Sequence, residues 1–114
     1  MIIRKLEEVR QDEVKAEGAA GVKIRWVIAE EDGAPTFAMR EFELAPGGHT
    51  PLHVHGWEHE VYVLAGEGVA VGEEGERPLA PGAAVFIPPG ERHNFRNTGA
   101  GPLRFLCLVP RGAK

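Results

Sequence analysis

The chain has 114 residues, 43% of them hydrophobic, and a formal net charge of −4 at pH 7. That length fits one domain of ordinary size, and an acidic balance with scattered Lys and Arg argues against a nucleic-acid partner, which would want a basic stripe. No apolar run approaches the roughly 20 residues a membrane span needs, and serine is absent, which excludes every serine-nucleophile mechanism.

The first residues, Met1-Ile2-Ile3-Arg4-Lys5-Leu6-Glu7-Glu8, carry charges where a secretory leader would need its apolar core. Cys107 is the single cysteine, so no intrachain disulfide can form. Both observations point to a cytoplasmic address. Residues 2–4 read as a short strand, followed by a turn or one weak helical turn. Residues 22–29 read as a strand, because Val22, Ile24, Trp26 and Ile28 alternate with Lys23 and Arg25. Asp32-Gly33 supplies a turn. A strand over 36–44 follows and is expected to break at Ala45-Pro46-Gly47-Gly48.

Shorter strands are expected at 50–55, 58–65, 68–73, 76–79, 83–87, 93–97 and 103–109, separated by Gly and Pro punctuation. About ten short strands with turn signals every 8–12 residues or so read as an all-β sandwich or barrel. No helix of three turns shows a 3.6-residue period, and neither a repeat nor a linker interrupts residues 1–114, so one domain is expected. Few Asn, Gln, Cys and Met beside abundant Glu and Arg is a tilt reported for heat-stable proteins, although a GC-rich genome produces the same tilt. Glu67, Glu73, Glu74 and Glu76 read as a solvated hairpin, and His49 as a surface histidine.

Four of the five histidines carry the chemistry. His53 and His55 lie two apart and so share one face of an extended segment. Gly56-Trp57 lets the chain turn, and His59 opens the next strand. His93, from a distant stretch, must come from a strand adjacent in space. Imidazoles grouped in this way suit Zn, Cu, Fe and Ni. By alternation Phe95 and Asn97 share the face of His93. Leu103, Phe105, Cys107 and Val109 form the face opposite Arg104. Phe95, Phe105 and Cys107 are therefore candidates for the wall of an apolar pocket, with ordinary core packing as the alternative. Trp57 would gate the pocket mouth or pack against a partner subunit. Cys107 reads as a small buried hydrophobe rather than a nucleophile.

These residues also carry a resemblance. Gly47, His53-Val54-His55, Glu60 and Gly66 are similar to the first motif of the cupin superfamily, with Gly66 one residue early. Pro81-Gly82, Pro88-Pro89-Gly90, His93 and Asn97 match its second motif without a gap. The two motifs span residues 47–66 and 81–97. The resemblance implies an all-β, single-domain cupin: a double-stranded β-helix, or jelly-roll β-barrel. The stretch from His53 to Leu64 resembles small Cupin_2-type chains that hold one divalent transition metal through four histidines, here His53, His55, His59 and His93. Manganese comes from the resemblance to manganese-binding proteins of heat-loving bacteria, with Fe, Cu, Ni and Zn open. In many cupins the third ligand is the glutamate, whose place Glu60 takes. Adjacent strand residues face opposite ways, so His59 and Glu60 cannot both reach one ion, and His59 is the favoured ligand.

The resemblance implies dioxygenases as one large group, and a metal with open positions and no separate general base favours such an oxidoreductase, acting on a small apolar or aromatic molecule. A non-catalytic binding or sensor cupin, a metal-dependent isomerase, and a barrel merely stapled by its metal are the other readings. The resemblance further implies a homodimer, formed by strand exchange through the apolar 2–6 segment.

Overall fold

In the computed structural model, which describes residues 1–113, nine strands form one sheet that curls on itself. They are β1 (Asp12–Glu13), β2 (Ala20–Ile28), β3 (Phe37–His49), β4 (His59–Ala65), β5 (Gly68–Gly72), β6 (Gly75–Leu79), β7 (Ala84–Ile87), β8 (Asn94–Asn97) and β9 (Leu103–Pro110). The path runs β6-β5-β8-β3-β9-β4-β7, with β2 on β3 and β1 on β2. Every pairing is antiparallel. Two 3-10 turns, Leu6–Glu8 and Glu30–Asp32, are the helical elements. Among the described residues no helix is long and apolar enough to cross a membrane.

Alternation decides which side chains fill the interior. Val22 on β2, Leu44 on β3, Val61 and Val63 on β4, and Leu103, Phe105, Cys107 and Val109 on β9 point inward and are at most 3% exposed. Register sets these side chains in rows across the barrel wall. Ile24, Phe42, Phe105 and Val63 make one row, and Trp26, Arg40, Cys107 and Val61 the next. On the outer side of β3, the fully buried Glu41 pairs with Arg25 at 3.2 Å and Arg104 at 2.8 Å, tying β2, β3 and β9 together. Buried Asn97 donates through Nδ2 to the carbonyls of Leu44 and Gly101 and accepts from the Gly99 amide. It therefore pins β8 to β3 and closes the turn before β9.

Three expectations need correction. Residues 2–4 join no ladder: Ile2 and Ile3 are exposed, and Arg4 instead holds the segment by donating to the Val27 carbonyl and pairing with Asp32. Apolar side chains alone did not supply a sheet edge for the segment to join. The chain also does not leave the sheet at 45–48. Leu44 pairs with Val22 and Leu103, and His49 with Ala20 and Arg96. The intervening residues are an irregularity that carries β3 from β9 to β8, as bulges do at barrel corners. Finally, the expected strand at 50–55 survives only as one bridge, His53 with His93, because Pro51 has no N–H to extend the ladder.

Candidate metal centre

That single bridge brings the two distant motifs together. The His53 amide donates to the His93 carbonyl at 3.1 Å and the His93 amide donates to the His53 carbonyl at 3.0 Å. On one side the contact is extended by Thr50, whose amide donates to the Phe95 carbonyl and whose Oγ1 accepts from the Phe95 amide. On the other side, the Pro88-Pro89-Gly90 turn is tied in by the Gly90 amide, which donates to the His55 carbonyl at 2.9 Å. Gly90 has φ +85°, a conformation the turn needs and that only glycine adopts without penalty. The proline-glycine motif thus fixes the backbone that carries His55 and His93.

The imidazoles converge. The His53 ring centroid lies 4.9 Å from that of His55 and 5.1 Å from that of His93. His59 enters from the start of β4, with its ring 4.4 Å from His55 and 5.1 Å from His93. His55 Nδ1 donates to the Trp57 carbonyl and His93 Nδ1 donates to the Glu91 carbonyl. A carbonyl can only accept, so both rings carry their proton on Nδ1 and present Nε2 as a lone-pair donor. Potential ligand nitrogens of His53, His55 and His93 lie within 4.8 Å of one another. His59 Nε2 stands 2.7 Å from His55 Nε2, and its Nδ1 stands 3.0 Å from the Cys107 sulfur.

The electrostatics suit a cation. Burial lowers the pKa of His53, with the His93 and His55 rings and Arg40 adding to it, and lowers that of His55 against the opposing hydrogen bond to the Trp57 carbonyl, with His93 and Arg40 adding to it. Burial, then the Arg40 charge, then the other rings push His59 down to about 3. These three imidazoles are therefore neutral at pH 7, the form that binds metal. The donor set fits a divalent transition ion, and because an imidazole ligand brings no charge the set leaves that of the ion uncompensated.

The same shifts predict how chelated protein responds to acid. The folded state holds these protons more weakly than the unfolded chain does. Stability is therefore full above the unfolded value of about 6.5 and falls as pH drops below it. For His59 alone the loss between pH 7 and 5 is on the order of 2 kcal/mol. Urea midpoints measured over that range should fall with pH in the wild type and fall less steeply in His59→Gln.

The histidines open onto a cavity of about 510 Å³, whose wall includes Val22, Ile24, Phe42, Phe95, Phe105 and Cys107. Phe105 lies 4.9 Å from Phe95 and 5.5 Å from Phe42 between ring centroids. Trp57 stacks on His55 at 4.4 Å with 7° between planes, so it buttresses a candidate ligand. The Cys107 thiol is pushed up by burial, with Arg40 acting against the shift. Glu60, the alternative ligand, lies on the exposed outer face of β4, and its neighbour His59 takes the inward position. His49 sits partly buried at the end of β3, with Nδ1 near the Thr50 carbonyl.

Sequence reasoning missed Arg40. Its side chain is only 7% exposed and lines the same cavity. The signal was present: Ala38, Arg40, Phe42 and Leu44 share one phase of β3, which puts a cation in step with apolar residues.

The Cupin_2 family, the cupin domain, matches residues 40–109, which takes in both histidine stretches and Arg40. This chain is a cupin. The solved structure of the polyketide cyclase RemF from Streptomyces resistomycificus superposes on the cupin with a TM-score of 0.91 at 38% identity, covering 96% of this chain and 79% of the cyclase. The oxalate-binding protein of Thermotoga maritima is 32% identical, over 96% of this cupin and 93% of its own length. The 1-methylthio-D-xylulose 5-phosphate methylsulfurylase of Rhodospirillum rubrum is 37% identical over 83% of this chain but only 62% of the enzyme, so the cupin spans less than two thirds of that relative. Relatives with such different names share a fold and not one activity.

Proposed function

We propose that this cupin holds one divalent transition metal through His53, His55, His59 and His93 and acts as a mononuclear oxidoreductase, dioxygenase-like, on a small molecule with an apolar body. The observation that supports it best is the reciprocal backbone bridge between His53 and His93, which fixes imidazoles from two distant stretches around one point in the wall of the cavity. His59 joins as fourth ligand by using Nε2 for the ion while Nδ1 faces the Cys107 sulfur. Bound there, the metal would supply Lewis-acid or redox chemistry at its open positions. The chain's own groups do the rest. Carbonyls of Trp57 and Glu91 hold two rings in the ligating tautomer. Phe95, Phe105, Phe42 and Trp57 enclose the apolar body and exclude water. Among the described residues lining the cavity Glu17 is the one carboxylate and is exposed, so no buried base stands ready for proton-transfer chemistry. Manganese is the first metal to test, with iron, copper, nickel and zinc beside it.

Metal analysis of protein purified without a histidine tag or added metal is expected to give one ion per chain. Oxygen uptake by the loaded protein, scanned over phenols and diketones, should vanish in His53→Ala. Uptake absent from both proteins would turn the assignment toward a binding or sensor cupin, the reading that the oxalate-binding relative favours. We also propose a cytoplasmic homodimer. The apolar side chains of Phe37, Tyr62, Leu64 and Phe86 stand exposed on the outer surface and suit burial against a second copy better than the unpaired 2–4 segment does.

A further inference from the structure

Arg40 is a buried cation without a carboxylate partner among the described residues. The arginine ion pairs there belong to Arg4, Arg10, Arg25, Arg96, Arg104 and Arg111. Glu41, adjacent on β3, points to the other face and is held by Arg25 and Arg104. Arg40 Nη2 donates to the Cys107 sulfur at 3.1 Å, a weak acceptor, and Arg40 Nε is buried with no acceptor at all. The guanidinium carbon lies 5.0 Å from the Phe42 ring centroid and 5.4 Å from that of Trp26. Those aromatic faces offset part of the charge and leave its hydrogen-bonding capacity unfilled.

A guanidinium desolvated to this degree is ordinarily paired. Its position is also specific. Arg40 lies in register with Trp26 on one side and Cys107 on the other, in the wall of the cavity that the histidines also line. Its fork is suited to carboxylate oxygens, and around it the lining is aromatic and aliphatic. We propose that Arg40 is a specificity-determining residue that receives the anionic head of the ligand, so that the cupin selects small monocarboxylates or enolates with an apolar or aromatic body. This rests on the cavity being the ligand site of the proposed function and narrows its substrate class. It does not depend on which metal is bound.

The test is calorimetric titration of the metal-loaded protein with benzoate, benzyl alcohol and acetate, repeated after chelation. Benzoate is expected to bind at least about tenfold more tightly than benzyl alcohol, which lacks the charge, and than acetate, which lacks the ring. Chelation should weaken benzoate without removing its preference over benzyl alcohol, which separates the role of Arg40 from that of the ion. In Arg40→Met, which keeps the length and apolar stem, benzoate affinity should fall to that of benzyl alcohol while metal content is retained. Arg40→Lys should recover part of it. Because the lost cation was unpaired, Arg40→Met should melt no lower than wild type. Equal affinity for benzoate and benzyl alcohol in the wild type would overturn the proposal without any variant. So would an Arg40→Met protein that melts lower yet binds benzoate unchanged, the pattern of a purely structural cation. A wild-type protein that takes up no metal but still prefers benzoate would sink the metal assignment and leave Arg40's role standing.

Discussion

His93→Ala is expected to lose metal affinity by more than about 100-fold, since even residues that only support a ligand cost 10–100-fold when changed. His93 contributes to the bridge with His53 through its backbone amide and carbonyl, which alanine keeps, so what goes is the imidazole and its Nδ1 bond to the Glu91 carbonyl. A ligand present at about 1,000 times its dissociation constant stabilises the folded state by about 4 kcal/mol. In a domain of this length that corresponds to a melting point higher by about 15 °C. A roughly 100-fold loss leaves the variant about 1.4 kcal/mol of that stabilisation, so wild type should gain at least about 10 °C more from added metal than His93→Ala does. His49→Ala, remote from the cluster, should keep full metal content. A His93→Ala protein that binds metal as wild type does would refute the ligand set.

Gly66→Ala is expected to destabilise the fold strongly without touching the histidines. Gly66 opens the turn between β4 and β5 with φ +89°, and a Cβ placed on it would lie 2.3 Å from the Pro102 carbonyl oxygen and 2.8 Å from Leu103 Cα. Both obstacles are backbone, so no side-chain rotation relieves them. The left-handed conformation costs alanine about 1–2 kcal/mol, and forcing atoms into a packed wall costs about 1–3 more. Their sum of about 2–5 kcal/mol is a large part of the 5–15 or so that holds a domain together, and the melting point should fall by at least about 10 °C. Gly47 has φ +78° but nothing within 4 Å of its virtual Cβ, so Gly47→Ala should show the conformational cost alone. If the two variants melt together, the close approach of Gly66 to Pro102 carries no weight.

The parts legible in the sequence were those fixed by local rules. Alternation from Val22 to Trp26, and again from Leu103 to Val109, located β2 and β9 and their inner faces, whereas a register shift after Trp26 pairs Ile28 with Met39, on the other phase of β3. Pro88-Pro89-Gly90 marked the turn that ties to His55. Histidines two apart told that His53 and His55 share a face, and the need for a closing partner singled out His93. What escaped notice depends on partners far along the chain. Whether residues 2–4 find a sheet edge is decided by where β2 runs. Whether Ala45-Pro46-Gly47-Gly48 ends a strand or bends it depends on β8 waiting beyond β9 to receive His49. Arg40 was passed over because a charge on a strand is ordinarily read as facing water, although its phase with Ala38, Phe42 and Leu44 points inward, as its register with Trp26 and Cys107 bears out.

The two tryptophans have a practical consequence. Trp57 lies flat on His55, Trp26 lies beneath Arg40, and the chain has no other indole. Both line the one cavity, so nearly all the intrinsic fluorescence of this cupin originates in the wall of its own binding chamber. A paramagnetic ion seated among the imidazoles should quench the emission of Trp57 first, and an occupant reaching the guanidinium should shift that of Trp26. The protein is in this sense already labelled, and a cuvette titration can screen occupants by the hundred before any crystal is grown.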